Sequence, residues 1–334
     1  MKAPPDTRAA VLAFAVGRGL LADDEAVTLT ALAGGVSSDL WRVATPSRTI
    51  CVKVALARLK VAGEWLAPVS RNAVECDWLR YAALVCPGQV PTVLADDAGA
   101  GLFAMEYLPP ERYPLWKVRL LAGEVDARAA AGVGALAGRL HASSAADGGA
   151  PARFATDDNF DALRIGPYLR ATAARHPEVA DRFADLARRT ATTRLAVVHG
   201  DVSPKNILLG PHGPVLLDAE CAWFGDPAFD VAFCLNHLLL KSVLLPAQAA
   251  ALLAAAGALA RAHAAFVDWE APGSLEARVA SLIPALALAR IDGLSPVEYL
   301  DQAQRDTVRR ISLRLLKEPR DNLDELFARW TATA

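Results

Sequence analysis

Apolar positions change their rhythm along the chain. Up to Tyr107 they fall in short alternating or continuous runs bounded by Gly, Pro and Asp. From Gly123 onward they recur at helical spacing over long stretches. The first pattern reads as strands and the second as amphipathic helices. The chain opens with a helix over Thr7–Leu21, with Asp6 placed to cap it and Gly19 near its end. Strands follow over Thr28–Leu32 and Leu40–Val43, around a small-residue loop that contains Gly34, Gly35, Ser37 and Ser38, and over Thr49–Val54. A helix over Asn72–Leu84 leads to strands at Gln89–Val93 and Gly101–Tyr107, joined by a loop at Asp96–Ala100. Helices are expected over Glu124–Ser143, Asp157–Arg175 and Pro177–Arg189. An apolar run to Val198 and two short strands, Ile207–Leu209 and Val215–Leu217, then flank a Gly210–Pro214 turn. The remainder reads as helices over Ala228–Val243, Pro246–Phe266, Ser274–Ala289, Asp301–Leu316 and Asp321–Trp330. The expected class is α+β, with a β-rich segment 1–107 and a mostly helical segment 108–334.

Composition narrows the setting. With 334 residues, 53% hydrophobic and 22% charged, the chain can bury a substantial core divided between two lobes. A net charge of -2 gives no global reason to expect nucleic acid or an anionic membrane as partner. The five cysteines are odd in number and form no C-x-x-C pair, so they read as small buried hydrophobes in a reducing compartment. Residues 1–6 lack the apolar core of a signal peptide, and the Ala-rich run 249–260 is too short to span a bilayer. A cytoplasmic protein is expected.

Polar residues set among the short strands carry the candidate chemistry. Asp201 and Asn206 lie five positions apart in the loop after the apolar run ending at Val198, and the strand Val215–Leu217 ends on Asp218. Short buried strands hold such side chains rigidly. An Asp in that loop can take a hydroxyl proton, while Asn206 and Asp218 offer the hard oxygen ligands that Mg2+ prefers, a set suited to phosphoryl transfer. Upstream, Lys53 sits inside the apolar strand 49–54; it either points to solvent, as most strand lysines do, or is buried and needs a carboxylate or phosphate partner, since a lone buried ammonium is costly. Glu75 in the following helix is the partner favoured by position, with Glu64 as its competitor. The loop at Ala33–Asp39 is small enough for its N–H groups to approach phosphate, although a plain hairpin turn has the same composition.

Three blocks in order, His199-Gly200-Asp201-x4-Asn206, Leu217-Asp218-Ala219-Glu220 and Gly225-Asp226-Pro227-x2-Asp230, resemble the aminoglycoside phosphotransferase and choline kinase superfamily of small-molecule kinases. Lys53-Val54-Ala55-Leu56 together with Leu59–Pro68, including Trp65 ahead of the helix, is similar to the corresponding stretch of methylthioribose kinases. The resemblance implies a protein-kinase-like two-lobed fold. It implies Asp201 as catalytic base, Asn206 and Asp218 as Mg2+ ligands, and Lys53 on the α- and β-phosphates with Glu75 holding it. The segment Met105–Pro110 resembles the hinge at which backbone groups of Glu106 and Leu108 read adenine, with Tyr107 or Met105 against the ring, although an edge strand stopped by proline has the same composition. His199 and Asp230 are given structural roles, Asp230 holding the catalytic loop in shape.

The implied reaction moves the γ-phosphate of ATP, or of GTP, onto a hydroxyl of a small metabolite or aminoglycoside-like acceptor. Ser203 and Lys205 inside the loop, and Arg290 and Asp292 in a turn after a long apolar helix, are candidate substrate contacts. For Lys205 a solvent-facing position fits equally well, and for Arg290 and Asp292 so does an ordinary helix end. The helices Asp157–Arg175 and Pro177–Arg189, rich in Arg on their outer faces, could line the acceptor pocket, although an Arg-rich face is more often only solvated, and His141 reads as a capping or packing residue. A non-catalytic binding module on the same fold and an atypical protein kinase are the alternatives. Against the second stand the missing Arg before Asp201, the lack of an Ala-Pro-Glu segment and the eleven residues, 219–229, between Asp218 and Asp230.

Overall fold

A computed structural model of the chain describes residues 5–22, 25–32, 38–56, 68–271 and 273–332. It divides into two compact units, Met1–Pro110 and Glu111–Ala334. The first contains α1 (Pro5–Gly17), β1 (Thr28–Leu32), β2 (Ser38–Ala44), β3 (Thr49–Ala55), α2 (Arg71–Val85), β4 (Val93–Asp97) and β5 (Leu102–Glu106). The strands form an antiparallel sheet in the order β1-β2-β3-β5-β4, with Trp41 opposite Val52 and Lys53 opposite Phe103.

Side-chain alternation assigns the two faces of this sheet. Trp41, Val43, Ile50, Val52, Leu102 and Ala104 join Val11, Phe14 and Ala15 of α1 in one core. The intervening Lys53 therefore points to the opposite face, where α2 packs against β3, β4 and β5.

The fourth strand lies at Val93–Asp97, about four residues later than the Gln89–Val93 its apolar pattern suggests, and takes in Asp96 and Asp97. The reason is charge on both sides of the sheet. Consecutive strand residues face opposite ways, so Asp96 pairs with Arg80 of α2, while Asp97 pairs with Arg18 beyond α1 at 3.1 Å.

The second unit begins with α3 (Trp116–Leu121), α4 (Ala127–Ala145), α5 (Ala150–Arg153) and α6 (Asp157–Phe160). The last runs through a π-helical stretch, Asp161–Arg170, into α7 (Ala171–Ala173). Pro167 lies inside that stretch and has no N–H to give an i−4 carbonyl, a local cause for the widened winding. After α8 (Ala180–Thr192) come two antiparallel pairs: β6 (Ala196–Val198) with β9 (Trp223–Gly225), and β7 (Ile207–Gly210) with β8 (Gly213–Leu216). The three-residue β9 is too short to show a period in the sequence.

The remaining helices are α9 (Ala228–Leu244), α10 (Ala249–Ala264), α11 (Ser274–Asp292), α12 (Gln302–Lys317) and α13 (Leu323–Thr331). Of these α9 is the centre, buried on every side from Ala228 to Val243. Close packing of α4 on α10 depends on glycine: a Cβ on Gly134 would lie 2.1 Å from the Leu259 carbonyl oxygen. No helix among the described residues is long and apolar enough to cross a membrane.

Candidate active site

The site in the C-terminal unit is built on the loop that leaves β6. Gly200 takes φ +79°, and a Cβ there would meet the Cys221 backbone oxygen at 2.8 Å, so no other residue fits without displacing the chain. The Asp230 carboxylate, one turn into α9, receives the His199 N–H at 2.7 Å and the Gly200 N–H at 2.8 Å. Two buried backbone donors are thereby satisfied by one side chain, and the loop is latched to the central helix. His141 of α4 stands 3.2 Å behind the same carboxylate, and its Nδ1 lies 2.9 Å from Nε2 of His263 on α10. His141 is thus a support of the loop from a second helix, a role that helical spacing alone does not show.

His199 joins the loop to the strand that carries Asp218. Its Nδ1 accepts the Asp201 N–H at 3.1 Å, and its Nε2 lies 3.1 Å from the Leu217 carbonyl oxygen. The pattern assigns the proton to Nε2 of a neutral ring. Burial holds the imidazole below its ordinary pKa, against the opposing pull of Asp230, Asp201 and Asp218.

At the end of this frame the Asp201 carboxylate is surrounded by donors. Ser203 Oγ gives to Oδ1 at 3.1 Å, while Oδ2 lies 2.8 Å from Arg164 Nη2 and 2.9 Å from Lys205 Nζ. Burial raises the pKa of this carboxyl, but the Lys205 and Arg164 charges outweigh it and leave the group below the usual carboxylate value. Asp218 lies close enough to oppose its ionisation.

Asn206 donates through Nδ2 to the Asp201 carbonyl at 3.1 Å and accepts the Leu217 N–H on its own carbonyl at 2.9 Å. Asp218 adopts φ 66°, a left-handed backbone uncommon outside glycine, at the point where β8 gives way to the next turn. The donor set at this end is one amide oxygen and one carboxylate. That set fits a hard divalent ion whose remaining positions are filled by phosphate and water oxygens. Among the described residues no three His, Cys, Asp or Glu side chains gather as a ligand cluster.

Arg164 is the site residue that sequence reasoning passes over. It lies in the Arg-rich helical region whose pattern fits a solvated face or a pocket lining and singles out no residue, yet it is 6% exposed and faces Asp201 and the Gly200 carbonyl. The signal available was its placement between Leu163 and Ile165, three residues before the helix-breaking Pro167.

In the N-terminal unit, Lys53 Nζ and Glu75 Oε2 are 2.5 Å apart and both buried. Ser38 is buried, and its hydroxyl has no hydrogen-bond partner among the described residues. Glu106 is exposed and accepts from Thr92 N and Oγ1 at 3.4 and 3.3 Å; Leu108 is half-buried. Gly34, Gly35, Ser37 and Glu64 lie outside the described residues.

The turn expected near Arg290 is helical: α11 continues through Asp292. Asp292 is bound there by Arg309 at 2.7 and 2.8 Å and by His176 at 2.9 Å, a bridge between helices. Arg290 is buried and donates to the Tyr168 hydroxyl at 3.2 Å and to Ser295 Oγ at 2.8 Å.

Residues 28–269 match the model of the phosphotransferase enzyme family, APH. The chain is 27% identical over 291 residues to the methylthioribose kinase of Pectobacterium carotovorum subsp. carotovorum strain PC1, covering 78% of this chain and 70% of that protein. It is 26% identical over 294 residues to the methylthioribose kinase of Yersinia pseudotuberculosis serotype O:3 strain YPIII, covering 79% and 72%. Among solved structures, a choline/ethanolamine kinase family protein from Mesorhizobium loti superposes with a TM-score of 0.53 at 20% identity over 98% of both chains. An amicoumacin kinase in complex with AMP-PNP, Ca2+ and Ami gives 0.58 at 14% identity over 92% of this chain and 94% of that one. These two likenesses establish a shared kinase-like fold.

Proposed function

Because the chain belongs to the phosphotransferase enzyme family and is a phosphotransferase acting on an alcohol group, we propose that it transfers the γ-phosphate of ATP to a hydroxyl of a small molecule at Asp201. The observation that carries this reading is the Asp201 carboxylate, kept ionised by two cations in a loop fastened by Asp230. The acceptor oxygen forms a bond to Pγ, the bond from Pγ to the β,γ-bridging oxygen breaks, and the hydroxyl proton passes to Asp201. A carboxyl held below the usual carboxylate value is a weak base. Its work is to orient the hydroxyl and to take the proton late, as a loose phosphoryl-transfer transition state requires.

Asn206 and Asp218 would hold Mg2+, which when bound neutralises charge on the β- and γ-phosphates. Lys205, 45% exposed along its side chain, is placed to exchange its Asp201 contact for a phosphate oxygen. In the N-terminal unit, Lys53 is assigned to the α- and β-phosphates; its ion pair with Glu75 fixes the ammonium. Backbone groups of Glu106 and Leu108 are assigned to the adenine edge.

The test is ADP formation from ATP and Mg2+ that depends on an added hydroxylated metabolite, followed by identification of the phosphorylated product. Acceptor-dependent turnover supports the reading. Absence of turnover across sugars, amino alcohols and hydroxy acids would favour a binding module, and label found in protein would favour a protein kinase.

A further inference from the structure

Beyond Asp201 a row of aromatic and cationic side chains continues through the same helical unit. Arg164, which pairs with Asp201, has its guanidinium 5.6 Å from the Tyr168 ring centre and 5.7 Å from that of Phe233. Phe233 meets His237 one turn along α9, with ring centres 5.4 Å apart. A further turn on stands Lys241, whose ammonium lies 4.9 Å from the Tyr299 ring centre. Arg290 reaches the same group from α11 through the Tyr168 hydroxyl, and Lys117 from α3 lies 6.0 Å from the Tyr299 ring centre.

Charge in this row is unbalanced. The charges acting most strongly on His237 are Arg290, Lys241, Lys205 and Lys117, all cationic. The carboxylate that bears on the far end is Glu298, which already pairs with Lys117. Lys241 is 1% exposed, and its one hydrogen bond among the described residues is a 3.4 Å contact with the His237 carbonyl of its own helix. A buried ammonium without a counter-ion is costly.

The polar atoms around it are equally unsatisfied. Among the described residues, His237 Nε2, the Tyr299 hydroxyl and Arg290 Nε are buried with no hydrogen-bond partner. Native structures seldom leave several such groups together without a ligand to complete them.

Building on the kinase reading above, we propose that this cluster of Lys241, His237, Arg290, Tyr299 and Lys117 binds an oxyanion on the acceptor. The substrate is then a small hydroxylated molecule bearing a carboxylate or phosphate group, not a polycationic aminoglycoside or a cationic amino alcohol. The anion supplies the missing counter-charge, the tyrosine and histidine donate to it, and the hydroxyl is presented toward Asp201. Burial and the Lys117 and Arg290 charges press the Lys241 ammonium down to about 7, the direction expected of a cation awaiting an anion.

Four probes of similar size test this on the full chain: glycerate, glycerol 3-phosphate, neutral glycerol and cationic choline. Binding is measured by calorimetry without nucleotide, and transfer by product analysis with ATP and Mg2+. The expected result is binding of one or both anions in preference to glycerol and choline. Glycerate against glycerol 3-phosphate distinguishes carboxylate from phosphate. Lys241→Met should weaken the anion by about tenfold or more and raise its KM more than it lowers kcat. Tyr299→Phe, which opens no cavity, should weaken it less.

Preference for glycerol or choline, or no binding of either anion at millimolar concentration, overturns the inference and leaves the kinase reading intact. Anion binding that depends on Lys241 but never leads to transfer from ATP upholds the inference and defeats the kinase reading.

Discussion

Asp201 shows how a single residue is prepared for its chemistry by neighbours of opposite charge. Arg164 and Lys205 hold it ionised, and Ser203 fixes one oxygen, so the other is aimed by salt bridges. Asp201→Ala should lower kcat by a factor on the order of 10² or more while nucleotide binding persists, as loss of a positioned base does. Steady-state kinetics beside nucleotide titration checks both halves. Lys241 gives a different kind of prediction, on stability. Its pKa is depressed by burial and by Lys117 and Arg290 from 10.5 to about 7, so the unfolded chain binds the extra proton between those limits and wild-type stability rises with pH across them. Lys241→Met should therefore be more stable than wild type below pH 7, by on the order of a few kcal/mol. The gain should shrink as pH approaches 10, which denaturant melts across that range will show.

The catalytic loop keeps its shape because two elements clamp it: α9 through Asp230 and the β8 end through His199. Asp230→Ala would leave two buried N–H groups without acceptors, and should cost about 2–5 kcal/mol of stability together with much of the activity. Gly200→Ala should cost about 1–3 kcal/mol, since an L side chain at φ +79° also collides with Cys221. Thermal unfolding of both variants measures these losses, and a wild-type melting curve for either would remove the clamp.

The blocks around Asp201, Asn206, Asp218 and Asp230 were legible in the sequence because their spacing is local. What joins them was not. Arg164 approaches from 37 residues upstream of Asp201, and His141 and His263 come from helices whose periodicity says only that one face is buried. The position of β4 is hidden in the sequence for the same reason: the pairing of Asp96 and Asp97 with Arg80 and Arg18 is long-range, and two consecutive aspartates read locally as a loop. Arg290 and Asp292 read as a turn, although α11 carries them and tertiary partners engage both.

For the whole molecule, net charge conceals what matters. A chain at -2 carries a row of cations inside its helical unit, of which Arg164 and Lys205 are paired by Asp201 and Lys117 by Glu298, while Lys241 lies beside other cations. In the N-terminal unit the buried Lys53–Glu75 pair is the corresponding fixed charge. Saturating ATP and Mg2+, at about 100 times Kd, should stabilise the protein by about 2.7 kcal/mol. Lys53→Met should abolish most of that shift, read as a change in Tm. Asn206→Ala and Asp218→Asn should raise the Mg2+ concentration for half-maximal activity by about tenfold or more. The most direct measurement follows γ-labelled phosphate from ATP in the presence of a hydroxylated acceptor. The account predicts label in a small-molecule phosphoester with wild type and its near-complete loss with Asp201→Ala; label confined to inorganic phosphate or protein, or undiminished transfer by the variant, would contradict it.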